Sequence, residues 1–120
     1  MAKSLLLVSR QAPWSGPGAR EALDIVLAGG AFDLPIGLLF LDDGVLQLMP
    51  GQQAKALRQK DLAANLQALS LFGIDEVFAC RSSLDARGLD PSTLGLNAVQ
   101  LLSIPDLAGI IDRYDQVITL

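Results

Sequence analysis

The chain has 120 residues and a mass of 12.7 kDa, the size of a single domain (1–120) built around one hydrophobic core. Hydrophobic residues make up 51% and charged residues 18%, with mean hydropathy +0.41; this excludes a disordered chain and leaves few charges to cover a small domain's surface, so burial against other subunits is expected. A formal charge of −4 argues against unaided binding of nucleic acid, and the absence of histidine with a single cysteine excludes Ser-His-Asp and Cys-His catalysis, a CxxC pair, a cysteine-rich zinc site and an intrachain disulfide.

Met1-Ala2-Lys3-Ser4 and the short apolar run after it lack the h-region and cleavage site of a secretory signal, and no apolar stretch reaches membrane-spanning length. A cytoplasmic location is expected. Leu5-Leu6-Leu7-Val8 is apolar without alternation, as in a strand buried on both faces, and is stopped by a loop containing Pro13 and Ser15-Gly16-Pro17-Gly18. From Ala19 the period becomes helical, with Ala19, Leu23, Val26 and Leu27 on one face, and Gly29-Gly30 is the expected stop. A second buried strand is predicted over 36–41, closed by Asp42-Asp43-Gly44.

Leu62, Leu66, Leu69 and Phe72 recur at helical spacing, with Gly73 placed to end that helix, and Val77-Phe78-Ala79-Cys80 follows as a third strand. Ser82 or Ser83 can cap a brief helix through Arg87, ended by Gly88; Asp90-Pro91 marks a turn, and 98–102 is a fourth strand. Ser103 can cap a last helix bearing Ile104, Leu107, Ile111 and Tyr114 on one side, and 116–120 is a fifth strand. Apolar strands alternating with helices call for a mostly parallel five-stranded sheet between helical layers, a three-layer α/β/α domain. The flavodoxin-like version would have strand order 2-1-3-4-5, although periodicity does not determine order.

Ligands and reactive groups in such folds gather beyond the carboxyl ends of the strands, which directs attention to the loop over 9–18, to Asp42-Asp43-Gly44 and to Cys80-Arg81-Ser82-Ser83. Cys80 is the candidate catalytic residue, because a thiol at the start of a helix faces unpaired backbone N–H groups that favour the thiolate; the competing reading is a buried structural thiol. Gly16-Pro17-Gly18 lacks the lysine of a phosphate-binding loop and does not match the dinucleotide fingerprint, and the Asp42-Asp43-Gly44 run suits a turn better than a metal. No cofactor and no metal are expected. Val45, Leu46, Leu48, Met49 and Pro50 form an apolar segment where a loop is normally polar, and are read either as a partner interface or as core beneath the helix that follows.

Ser9-Arg10-Gln11-Ala12-Pro13, the segment over 18–24, Asp42-Asp43-Gly44-Val45-Leu46-Gln47-Leu48-Met49-Pro50-Gly51-Gln52, and Cys80-Arg81-Ser82-Ser83-Leu84 with Arg87-Gly88-Leu89-Asp90 together resemble the DsrE/DsrF/DsrH family, and within it the DsrF-like, or TusC, type of sulfur-relay subunit. The resemblance spans the chain, and the stretch from Asp42 into Pro50-Gly51-Gln52 is its most specific part. It implies a cytoplasmic subunit that joins TusB-like and TusD-like relatives in a dimer of heterotrimers. Such a complex takes persulfide sulfur from a TusA-like carrier and passes it through a TusE-like partner towards 2-thiolation of the tRNA wobble uridine, with no direct contact to the nucleic acid or to a membrane. It also implies that the sulfur-carrying cysteine belongs to the TusD-like subunit and that this chain is a non-catalytic structural and interaction subunit. The alternative is that Cys80 itself carries a persulfide, chemistry that needs an accessible thiolate and neither metal nor nucleotide.

Overall fold

The computed structural model describes residues 3–12, 15–48, 68–94 and 99–120. Five parallel strands form the sheet: β1 (Leu5–Ser9), β2 (Ile36–Phe40), β3 (Val77–Cys80), β4 (Gln100–Leu102) and β5 (Gln116–Thr119). Among the described residues the helices are α1 (Gly18–Ala31), α2 (Arg81–Ala86) and α3 (Ile104–Arg113), with 3₁₀ segments at Asp42–Leu48, Ser70–Phe72 and Pro91–Thr93. The α/β class, the five strands and their parallel direction are therefore as the alternating pattern requires.

Strand order is β4-β3-β2-β1-β5 and departs from the flavodoxin-like 2-1-3-4-5. The chain steps in one direction from β1 to β4 and then returns across the whole sheet to place β5 beside β1. Right-handed crossovers put connections made in one direction on one face and a returning connection on the other. The side chains follow that rule. Leu7, Leu38, Phe40 and Ala79 face α1 and the segments carrying Val45, Leu48, Leu69, Ile74 and Leu84, whereas Leu6, Val8, Leu39, Phe78 and Leu102 face Ile110 and Tyr114 of α3 and its end. Strand position is legible from apolar runs, but the direction of each crossover leaves no periodic trace.

Two local expectations change for packing reasons. Gly29 and Gly30 do not stop α1, which runs on to Ala31; both are buried, and a Cβ would meet Ile36 Cδ1 at 2.9 Å from Gly29, and Ile74 Cδ1 at 2.6 Å and the Phe72 carbonyl at 2.7 Å from Gly30. They are small because β2 and the chain before β3 approach there, and the turn is made instead by Asp33 in the left-handed region at φ 57°. On α3, Ser103 is the cap as expected, its hydroxyl accepting from the Asp106 N–H, but the buried stripe is Leu107, Ile110 and Tyr114, with Ile104 and Ile111 turned outward. Of the helix predicted through 62–72, Leu62 and Leu66 lie outside the described residues; Leu69 is buried, and Gly73 at φ 75° ends the segment with the Ile74 N–H donating to the Leu69 carbonyl. Ala98 of the predicted fourth strand also lies outside the described residues.

Candidate functional site

Helix α2 follows β3 on the α1 side of the sheet and α3 follows β4 on the other, so the connections diverge between the carboxyl ends of β3 and β4, where open α/β sheets form their crevices. An open cleft of about 490 Å³ lies there, bounded by Leu41 and Asp42 after β2, by Cys80, Ser82, Ser83, Ala86 and Arg87 around α2, and by Ile104 and Leu107 of α3.

Cys80 is the last residue of β3 and the N-cap of α2, with extended backbone at φ −74° and ψ 117°. Its place at a strand-to-helix junction is the one the sequence suggests. The thiol belongs to the cleft wall yet is 3% exposed, so it sits behind the surface and does not project from it. Ser82 and Ser83 do not cap α2. Ser83 is buried, and its hydroxyl accepts the Asp42 N–H at 3.0 Å, tying the end of β2 to α2.

That tie is one strand of a wider polar lacing. Asp42 sits in the left-handed region at φ 52° and pairs with Arg10, whose Nε lies 2.8 Å from Asp42 Oδ2. Asp43 pairs with Arg87 through Nε at 2.9 Å, and another guanidinium nitrogen of Arg87 donates to the Ser83 carbonyl at 3.2 Å. These ion pairs are solvated and each contributes at most about 1 kcal/mol, but between them they cross-link the loops after β1, β2 and β3. Both aspartates are engaged by arginine. Among the described residues no cluster of three or more His, Cys, Asp or Glu side chains is arranged to hold a metal.

Val45 and Leu48 are fully buried in the core on the α1 side, Leu46 is half-buried, and Met49 and Pro50 lie outside the described residues. Val45 and Leu48 are therefore corrected from candidate interface to core: a 3₁₀ turn directly after a buried strand packs them against α2 and the sheet, in the core on the α1 side. Gln47, in the same run, was not singled out by sequence. It is buried, and its amide donates to Ser9 Oγ at 2.7 Å and to the Gln11 carbonyl at 3.0 Å, holding the β1 loop in place. A polar residue inside an otherwise apolar run was the signal for it. Gly44 completes this clamp, because a Cβ there would collide with the Ser9 carbonyl.

Exposed apolar side chains concentrate elsewhere. Phe32 and Leu71 are 79% and 85% exposed, with Leu34 and Phe72 beside them in sequence, on the end of α1 and the Ser70–Phe72 turn that packs against it. This is the amino-terminal end of β2, remote from the cleft. At that same end Tyr114 reaches Glu76, over the Cα of Gly37, where no side chain obstructs the ring; burial, and then the Glu76 hydrogen bond, raise the phenol above its ordinary range, and Arg113 pairs with the same carboxylate at 3.2 Å.

The model of the DsrE/DsrF-like family matches residues 3–120. The chain is 61% identical over 120 residues to a Protein TusC homolog of Pseudomonas aeruginosa, with 100% of both chains covered. It is 35% identical over 116 residues to Protein TusC of Klebsiella pneumoniae subsp. pneumoniae, covering 97% of this chain and 98% of that one. Among solved structures, the crystal structure of the ychN protein from E. coli matches with a TM-score of 0.76 at 20% identity, covering 100% of both chains, which is a likeness of fold. The chain belongs to the DsrE/DsrF-like family.

Proposed function

We propose that this member of the DsrE/DsrF-like family is the TusC-type subunit of a cytoplasmic sulfur-relay complex, serving as a structural and interaction subunit beside TusB-like and TusD-like chains. In that complex persulfide sulfur arrives from a TusA-like carrier and leaves through a TusE-like partner for 2-thiolation of the tRNA wobble uridine. The observation that carries the reading is the full-length 61% identity to a TusC homolog. The recession of Cys80 behind the cleft surface supports the non-catalytic part of it. The apolar exterior around Phe32, Leu34, Leu71 and Phe72 is the surface we assign to a sibling subunit, in place of Val45 and Leu48.

Co-expression with the TusB-like and TusD-like chains tests this directly. The three should co-purify in equal amounts, and Phe32→Asp with Leu71→Asp should reduce capture while leaving the chain folded; a folded wild-type chain that does not associate with either sibling would defeat the proposal.

The placement of Cys80 on the cleft wall favours one second reading, in which the thiolate attacks the outer sulfur of a donor persulfide and the donor leaves as a thiolate. Incubation with a persulfide donor should then add one sulfur atom to Cys80 by mass spectrometry. An unchanged mass, together with undiminished relay by Cys80→Ser, eliminates that reading and leaves the structural role intact.

A further inference from the structure

Strand β5 closes one side of the sheet and pairs only with β1, so among the described residues its other edge is open. Natural sheets guard such edges with lysine, proline, bulges or an overlying element. Gln116-Val117-Ile118-Thr119 carries none of these: it holds no charge and no proline, every residue is exposed, and Val117 and Ile118 are 40% and 41% exposed on opposite faces. The other edge strand, β4, has three residues and a buried Leu102.

The backbone determines which pairing this edge can accept. Gln116 N–H donates to the Ser4 carbonyl and Leu120 N–H to the Val8 carbonyl, so by alternation 116, 118 and 120 turn their polar groups towards β1 while 117 and 119 turn theirs outward. An added antiparallel strand must bond to 117 and 119. A second copy of β5 does so in a register centred on Ile118: Val117 and Thr119 exchange both backbone hydrogen bonds with Thr119 and Val117 of the other copy, and Ile118 meets its own counterpart. That register sets β-branched residues opposite one another on both faces, keeps Asp115 outside the paired stretch, and brings no like charges together. Centring on Val117 would instead set Ile118 against Gln116.

We infer that the open β5 edge is a self-association surface, at which two copies of this chain pair antiparallel about a twofold axis through Ile118 to form a continuous ten-stranded sheet. An edge of four residues buries less than the roughly 800 Å² per partner of a standard interface, so the association is reversible and concentration-dependent.

The test uses the full chain, purified without siblings. Sedimentation of the wild type over a range of concentrations should pass from the 12.7 kDa chain to its dimer, and Ile118→Lys, which opposes two ammonium groups at the axis, should remain a monomer with an unchanged circular dichroism spectrum. In a Cys80→Ser background, Ile118→Cys should form a disulfide-linked dimer on mild oxidation, because directly opposed residues of a non-hydrogen-bonded pair lie about 4.5 Å apart between Cα atoms, within the span a disulfide accepts. Val117→Cys, opposite Thr119 in this register, and Leu71→Cys, an exposed collision control, should cross-link far more slowly. A wild type that stays monomeric at every concentration overturns the inference. So does cross-linking at 118 no faster than at 71, or cross-linking at 118 to a co-expressed sibling but not to a second copy.

Discussion

Strands β1 and β2 and edge strand β5 are all uncharged and carry apolar residues, yet they live in opposite surroundings. Leu6, Leu7, Leu38 and Leu39 are sealed between the two helical layers, whereas every residue of β5 is exposed. The contrast comes from topology. The return from β4 places β5 outside β1, beyond the reach of the helices that cover the sheet centre. An apolar, β-branched run therefore reports that a segment pairs in a sheet, and only its place in the strand order decides whether water or protein covers its faces.

The largest effect that would sharpen this contrast is Phe40→Ala. Phe40 is fully buried on the α1 side, and its removal leaves a cavity in a sheet that cannot collapse locally, so urea denaturation should show a loss of about 3–5 kcal/mol. Val117→Ala, measured in dilute solution, should cost about 0.5 kcal/mol. Equal losses at the two sites would mean that β5 is covered as thoroughly as the centre. What the sequence makes legible follows the same division. Strand β3 lies at 77–80 as its apolar run indicates, and β2 and β5 each end one residue earlier than their runs. Strand order and the reach of α1 through Gly29-Gly30 were not legible, because each depends on which distant element arrives: Ile36 and Ile74 for the glycines, β1 for β5.

The site divides in the same way. Cys80 at a strand-to-helix junction can be read from an apolar run followed by capping residues, but its recession from the surface comes from the elements around the cleft. The segment after β2 reads equally as partner surface or as core, and Val45 and Leu48 are core because the chain turns immediately back against α2 and the sheet. Gln47 is the residue this reading missed, and a smaller loss is expected there than at Phe40. Gln47→Ala removes two hydrogen bonds and strands the buried Ser9 hydroxyl, so the unfolding free energy should fall by about 2 kcal/mol. Gln47→Glu would put a carboxylate that donates no hydrogen bond at the same place and should cost at least as much. If Gln47→Ala is neutral, the lacing of the β1 and β2 loops does not depend on that amide.

The smallest expected effect concerns what holds β5 to the rest of the sheet. Asp115, just before the strand, accepts from the Ser4 N–H at 2.7 Å and from Ser4 Oγ at 3.1 Å, while its own N–H donates to Ser4 Oγ at 2.9 Å. The Ser4 backbone and hydroxyl hydrogen bonds hold the Asp115 carboxyl below its ordinary range. A carboxyl depressed in the folded state binds protons more readily once unfolded, so its contribution is fully present above the unfolded value of about 3.9 and is lost as pH falls through the lower folded value. Asp115→Asn keeps the shape and an acceptor oxygen but removes the charge. Its melting temperature should therefore lie slightly below that of the wild type near pH 7, and the gap should close as the pH is lowered below the folded-state value. A gap that stays constant or widens towards acid would assign the effect to shape and not to charge. Because the clasp joins the residue before β1 to the residue before β5, hydrogen exchange should show the variant's loss at the amides of the β5 ladder before it reaches β1 or β2. Uniform loss across all three strands would mean that the edge unfolds with the sheet centre as one cooperative unit, and that the difference in burial between them carries no difference in local stability.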